Sequence, residues 1–270
     1  DLTGKDWTPI GTDYDNSYKG TFDGGGHTIT GLTFTTNDEY AGLFGWLNRA
    51  GTVKNVVMEG VQITSHQIYG GSIGGVVGSG WGTIENCSVS GSVSGTVYVG
   101  GVVGVQIGGS ITGCSSSATV KGTVDVGGVA GQTNSSATLT ACYATGNVTI
   151  EIAPKKNIAG GGLVGMNAGS SLLACYATGN VTSTGSSTGY MHIGGFLGNN
   201  YTTVTACYWK NNHEQGIGYN KEGIAPEATN VDGTSVTWQN AVDAMNTALQ
   251  NKGSEWRYEL NGALPTLRKQ

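Results

Sequence analysis

Five cysteines, Cys87, Cys114, Cys142, Cys175 and Cys207, are the side chains in this sequence with the widest chemical reach. As metal ligands they would have to converge from different directions, and no C-x-x-C pair is present. As disulfide partners they would need Cβ atoms about 3.8 Å apart and turned toward each other, and their number is odd. Carboxylates come next. Paired acids hydrolyse glycosides when they face one another at about 5–10 Å, yet between Ala41 and Asn200 only Glu59, Glu85, Asp125 and Glu151 occur. Asp13, Asp15 and Asp23, with Asp38 and Glu39, lie near the N-terminus, where calcium is conceivable and solvated turns are the better reading. No phosphate-loop pattern occurs. These patterns point to no catalytic residue, no metal and no cofactor.

What positions the cysteines is an internal repeat. The stretch Ala141-Cys-Tyr-Ala-Thr-Gly-Asn-Val-Thr149 returns unchanged as Ala174–Thr182. A glycine element of the type Gly161-Gly-Leu-Val-Gly165 recurs six times, starting at residues 41, 74, 100, 127, 161 and 194, in steps of 33, 26, 27, 34 and 33. About ten residues after each element come apolar residues three apart, such as Ile84/Cys87 and Leu139/Cys142, and every cysteine occupies this second position. The runs of Val, Ile, Thr and Ser, broken by Gly and Asn without helical spacing, predict strands and turns. Units of roughly 27 residues suit one turn of a β-solenoid with three short strands, whereas propeller blades need about 40–50. The expected fold is therefore all-β: a parallel β-helix of six coils, right-handed by the general rule for parallel crossovers. Its coils should span about 40–72, 73–98, 99–125, 126–158, 159–192 and 193–212.

Stacking turns repeat positions into columns. The cysteines should form an inward ladder of free, buried thiols. Tyr143, Tyr176 and Tyr208 follow them and should face outward, with Trp209 beside the last. Such a ladder either stabilises the sheet, at about 0.2–1 kcal/mol per pair, or offers a flat aromatic strip to sugars or proteins. The longer coils all add residues at one corner, around Thr64–Ser72, Thr149–Asn157 and Ser183–His192, which should line loops along one edge. His66, Tyr69, Lys155, Lys156, Tyr190 and His192 on that edge are the other ligand-binding candidates.

The ends differ from the coils. Residues 1–39 read as an N-terminal cap, with Trp7, Ile10, Tyr18 and Phe22 to cover the first coil. Residues 213–270 read as a C-terminal cap. It holds one helix at about 237–251 and two extended pieces about an Asn261-Gly262 turn, placed to close the far end. The 270 residues include 48 glycines, only 11% are charged, and the net charge of −5 argues against nucleic acid. No apolar run of about 18 residues or more is present to span a membrane. Asp1-Leu-Thr-Gly-Lys reads as a mature or trimmed start, consistent with a removed export signal, and the chain is expected to be a monomer.

The glycine element, the lead-in Phe22-Asp-Gly-Gly-Gly-His-Thr-Ile-Thr-Gly-Leu32 and the ending Trp256…Leu264-Pro-Thr-Leu267 together resemble the GLUG-repeat proteins. The resemblance covers about 18–212 through the repeats and 200–270 less specifically. It implies a secreted or surface protein of bacteria, Bacteroidetes-like and of the kind labelled cell-adhesion proteins. The same repeat accompanies immunoglobulin A1-specific metallopeptidases, whose zinc motif H-E-x-x-H is missing here, since His213-Glu214 continues as Gln-Gly-Ile. The expected function is non-catalytic: adhesion, or binding of a host or bacterial glycan or protein along the solenoid face. A carbohydrate-active β-helix enzyme and a structural spacer are the alternatives.

Overall fold

The computed structural model describes residues 1–67, 70–225 and 228–270. One coil runs through Val97–Gly100, Val103–Thr112, Ser115–Ser116 and Thr119–Gly122. Each segment pairs in parallel with its counterpart one coil further on. The described residues thus form three parallel sheets, of six strands (holding Val97–Gly100), twelve (holding Val103–Thr112) and twelve (holding Ser115–Gly122), plus one antiparallel pair. Like residues line up: Val53, Ile84, Ile111, Leu139, Leu172 and Val204 are successive partners in one buried column.

All five cysteines are free and buried. They stack beside that column, and the backbone N–H of Cys142 lies 3.5 Å from the Cys175 sulfur. Burial pushes the Cys114, Cys142 and Cys207 thiols up, which keeps them protonated and unreactive. A polar ladder also runs inside. Thr133, Asn167, Asn200 and Asn220 are successive partners, joined side chain to side chain at 3.2, 2.9 and 2.7 Å, so the buried amides satisfy each other.

The glycine element is a corner between two strands. Gly100 ends one strand and Val103 begins the next, in a different sheet. A Cβ on Gly104 would fall 2.4 Å from the backbone nitrogen of Ile73, and one on Gly131 would fall 2.6 Å from Tyr98 backbone. The six-stranded sheet and its neighbour therefore touch backbone to backbone along a seam that admits only glycine.

A second corner precedes each cysteine. Asn55, Asn86, Gly113, Ala141, Ala174 and Ala206 there all have positive φ, between 49 and 64°. The strain of the left-handed conformation is offset by hydrogen bonds to the following coil, such as Asn86 N–H to Thr112 and Ala141 N–H to Leu173.

The stack extends past both limits expected from sequence. Thr21–Asp23, Thr28–Thr30 and Thr33–Thr36 already pair with the first coil. Ile217–Asn220 and Ala228–Asn230 add a partial seventh coil beyond Asn212. Trp7, Ile10, Tyr18 and Phe22 pack on the core at the first end. The helix spans Trp238–Asn251, with Thr237 and Asn240 capping each other reciprocally. Trp238, Ala241, Val242, Met245 and Leu249 form its buried face. That face does not close the far end. It lies on the flank, against Ala141, Leu173, Ala174, Tyr176 and Tyr208. The hairpin of Trp256–Glu259 and Thr266–Lys269 continues back along the flank until Lys269 Nζ meets Glu85 at 2.9 Å.

Candidate functional site

Residues on either side of the glycine seam form two parallel columns. On the six-stranded sheet the column runs Tyr40, Ser72, Tyr98, Asp125, Ala159, His192. On the adjoining sheet it runs Trp46, Ser79, Val105, Gln132, Met166, Asn199, Tyr219. Because the seam brings the sheets together, the columns flank a furrow along the solenoid axis. Five coil steps separate Tyr40 from His192, roughly 24 Å at the spacing of neighbouring strands.

Two clefts occupy this furrow. The first, about 250 Å³, is lined by Tyr40, Trp46, Tyr98, Val105, Gln132 and Asn134 among others. The second, about 290 Å³, begins one rung later and is lined by Asp125, Asn157, Met166, Tyr190, His192, Asn199 and Tyr201 among others. Aromatic rings gather at each end. Tyr40 packs edge-on to Trp46 at 4.5 Å, and Trp46 lies 5.6 Å from Trp81. At the other end His192 lies between Tyr190 at 5.9 Å and Tyr219 at 4.9 Å, with rings within about 22° of parallel. Tyr201 adjoins Tyr219.

Polar groups fill the middle. Asp125 is only 7% exposed, and burial pushes its carboxyl up to about 7. Near neutral pH it can donate or accept a proton within a hydrogen bond. Burial, and then the charge of Asp125, raises the Tyr98 hydroxyl as well. Gln132 donates to Asn134 at 2.8 Å. The Trp46 indole N–H and the Asn199 amide oxygen are buried with no hydrogen-bond partner among the described residues.

The structure divides the residues expected to bind ligand. Tyr190 and His192 lie at one end of the furrow. Lys155 and Lys156 are exposed on the adjacent loop, which packs on the next through Ser187 to Lys156 and Tyr190 to Asn157. His66 is exposed on the first coil. The short second and third coils separate it from these loops, so the edge is not continuous. Tyr69 lies outside the described residues.

The aromatic strip requires a correction. Tyr143 and Tyr176 do stack, 4.9 Å apart and 3° from parallel. However, Tyr176 is 1% exposed, and its hydroxyl donates to the Pro265 carbonyl at 2.6 Å. Tyr208 is buried in the same cluster. The ladder is covered by the chain's own helix and hairpin. Trp209 points inward and fills the last coil, where a Cβ on Gly195 would fall 2.7 Å from its ring.

Sequence reasoning missed Tyr40, Trp46, Tyr98, Asp125, Asn199, Tyr201 and Tyr219. A signal existed: in coils two to six the furrow residues stand two before and one after the five-residue glycine element, as in Tyr98-Val-Gly-Gly-Val-Val-Gly-Val105 and Asp125-Val-Gly-Gly-Val-Ala-Gly-Gln132. The acids near the N-terminus have local work. Asp13 accepts from Thr12 and Asn16, and Asp23 accepts from Gly25, Asn55 and Lys54.

Fold and furrow define a parallel β-solenoid with an open lateral groove. The family model described as the GLUG motif matches residues 69–94 and 95–121. Halomucin of Haloquadratum walsbyi is 37% identical over 102 residues, covering 37% of this chain and 1% of that protein. The chain thus spans about a hundredth of that curated relative. A crystal structure described as "a putative immunoglobulin A1 protease" from Bacteroides ovatus aligns with a TM-score of 0.69 at 19% identity, over 99% of this chain and 83% of that one. At that identity the likeness is one of fold. Residues 69–121 thus carry two GLUG motifs, and the four glycine elements outside them continue the same register.

Proposed function

We propose that this chain is a non-catalytic adhesion module displayed outside the cell, holding an extended ligand in the axial furrow. The observation that carries this reading is the exposed aromatic group at the furrow's end: Tyr190 is 72% exposed, and Tyr201 and Tyr219 38% each. Large rings left open on a rigid scaffold, beside half-buried polar groups, are what recognition surfaces use. The location outside the cell draws on the likeness to halomucin and on the resemblance to surface proteins.

Against catalysis stands the solitude of Asp125, the one carboxyl lining the two clefts among the described residues, where glycoside hydrolysis needs two facing acids. The protease name of the structural neighbour brings no machinery with it. His213 and Glu214 lie in an irregular stretch, not on a helix, and lack the second histidine.

The test is a retention assay of the purified chain on immobilised mucins, matrix proteins and polysaccharides, with product analysis for cleavage. Reversible retention without cleavage is expected, lost when Tyr190 and Tyr219 are both changed to alanine. Release of cleaved product would overturn the non-catalytic reading. Retention that survives both changes would overturn the furrow, and no retention on any support would leave a spacer.

A further inference from the structure

We infer that the furrow takes a neutral oligosaccharide chain laid along the solenoid axis, an inference that rests on the binding role proposed above and names the chemistry of the ligand. Three features select it. The first is a pair of orphaned polar atoms on residues that line the clefts, the Trp46 N–H and the Asn199 carbonyl oxygen, two of the five such atoms among the described residues. Buried polar atoms in native proteins are almost always partnered. One is a donor and the other an acceptor, and a hydroxyl group satisfies either. A ligand with hydroxyls along its whole length satisfies both once the side chains that cover these atoms move aside.

The second feature is the rings. Pyranose rings present C–H faces that pack on aromatic faces, and Tyr190, His192 and Tyr219 offer such faces at the open end. The third is charge. Neither cleft is lined by lysine or arginine among the described residues, and Asp125 lies in the furrow. Asp38 and Glu39 line an adjoining cleft beside Tyr40. Uronate or sulfate groups would meet these acids, while Lys155 and Lys156 stand on the adjacent loop and line neither cleft. A peptide is the lesser candidate, because the furrow is bordered by strands paired on both sides within the stack. That holds along the middle of the furrow, and only its terminal strands, such as Met191–Gly194 and Ile217–Asn220, leave an edge for β-augmentation.

The full-length chain is applied to an array of neutral, uronate-containing and sulfated glycans together with extended peptides, and hits are titrated calorimetrically. Neutral glycans are expected to bind. Tyr190→Ala and Tyr219→Ala should each weaken them about tenfold, while Tyr143→Phe on the covered flank changes nothing. Tyr190 and Tyr219 are exposed, so unchanged thermal melting will show that both variants fold. A peptide or sulfated glycan bound in their place, and lost in the same two variants, would overturn the inference but leave the furrow as a binding site. Neutral glycans bound equally by all variants would also overturn it. No ligand at all would overturn both this inference and the role on which it rests.

Discussion

Two aromatic columns run along this solenoid, and they have opposite fates. Tyr143 and Tyr176 belong to the most uniform part of the repeat, the nine residues that return unchanged, and Tyr208 follows them in the same column one coil on. Their column is a seat for the helix and hairpin. The furrow columns change residue at every rung, from Tyr98 to Asp125 to Ala159 to His192. They stay open. In the flank column the preceding rungs read Val57, Ser88 and Ser115, and tyrosine stands on the three rungs that pack with the C-terminal segment, so the residue follows its partner, the chain itself. A position that varies from coil to coil builds a surface with a different chemistry at each step.

The bend column before the cysteines supports this contrast. Where nothing covers the flank, Asn55 and Asn86 occupy it and join side chains at 2.8 Å. Where the C-terminal segment lies across it, the same column reads Gly113, Ala141 and Ala174. A Cβ on Gly113 would fall 2.3 Å from the Trp256 ring, and both alanines are fully buried. Coverage thus dictates the residue: amides where water reaches, small apolar groups where the cap presses down.

If the tyrosine ladder is core and the furrow is surface, substitutions in the two should separate stability from binding. The largest effect is expected for Tyr176→Ala. Removing a fully buried ring costs about 3–5 kcal/mol and leaves the Pro265 carbonyl without its donor. Urea unfolding should show that loss, and amide exchange should accelerate across 238–269. A loss below about 1 kcal/mol would mean that the cap is only loosely seated.

Asp125→Asn follows. The folded state raises this carboxyl to about 7, so it holds a proton that the unfolded chain gives up near the ordinary value of 3.8. Between those two pH values the native state binds more protons, and wild-type stability falls as pH rises. Asparagine removes the penalty. The variant should match wild type at pH 3.5 and be more stable at pH 8 by up to about 4 kcal/mol, and parallel melting curves at both pH values would refute the burial argument. Thr237→Ala should cost about 1 kcal/mol by removing the helix N-cap, visible as faster exchange in 238–251 with the solenoid strands unchanged.

Much of the fold was legible because stacking makes spacing equivalent to geometry. Six glycine elements at steps near 26 to 34 residues could only be coils, and one cysteine per coil could only be a column. The corner carrying the loops was legible for the same reason. What spacing cannot convey is which outward column another part of the chain will cover. The helix 238–251 was readable as a helix, but its apolar stripe fits an open solenoid end as well as a tyrosine-lined flank, and only packing decides between them. The furrow was hidden by a related limit. The glycine element reads as one strand until backbone contact at Gly104 and Gly131 shows it to be a fold between two sheets. Only then do Tyr98 and Val105, seven residues apart, face the same cleft.

The smallest expected change is the most informative. Tyr190→Ala removes a ring that is 72% exposed and touches its neighbours chiefly through His192. Exposed substitutions of this kind move stability by less than about 0.5 kcal/mol, so its unfolding midpoint should coincide with that of wild type while Tyr176→Ala is already unfolding. Two tyrosines of one chain, one on an outward column and the other on the loop beside the furrow, would then differ severalfold in structural weight for one reason: one has been covered and the other has not. If Tyr190→Ala instead destabilised the chain by 2 kcal/mol or more, the ring cluster would be holding the last coils together, and its exposure would reflect a structural clasp in place of a binding surface.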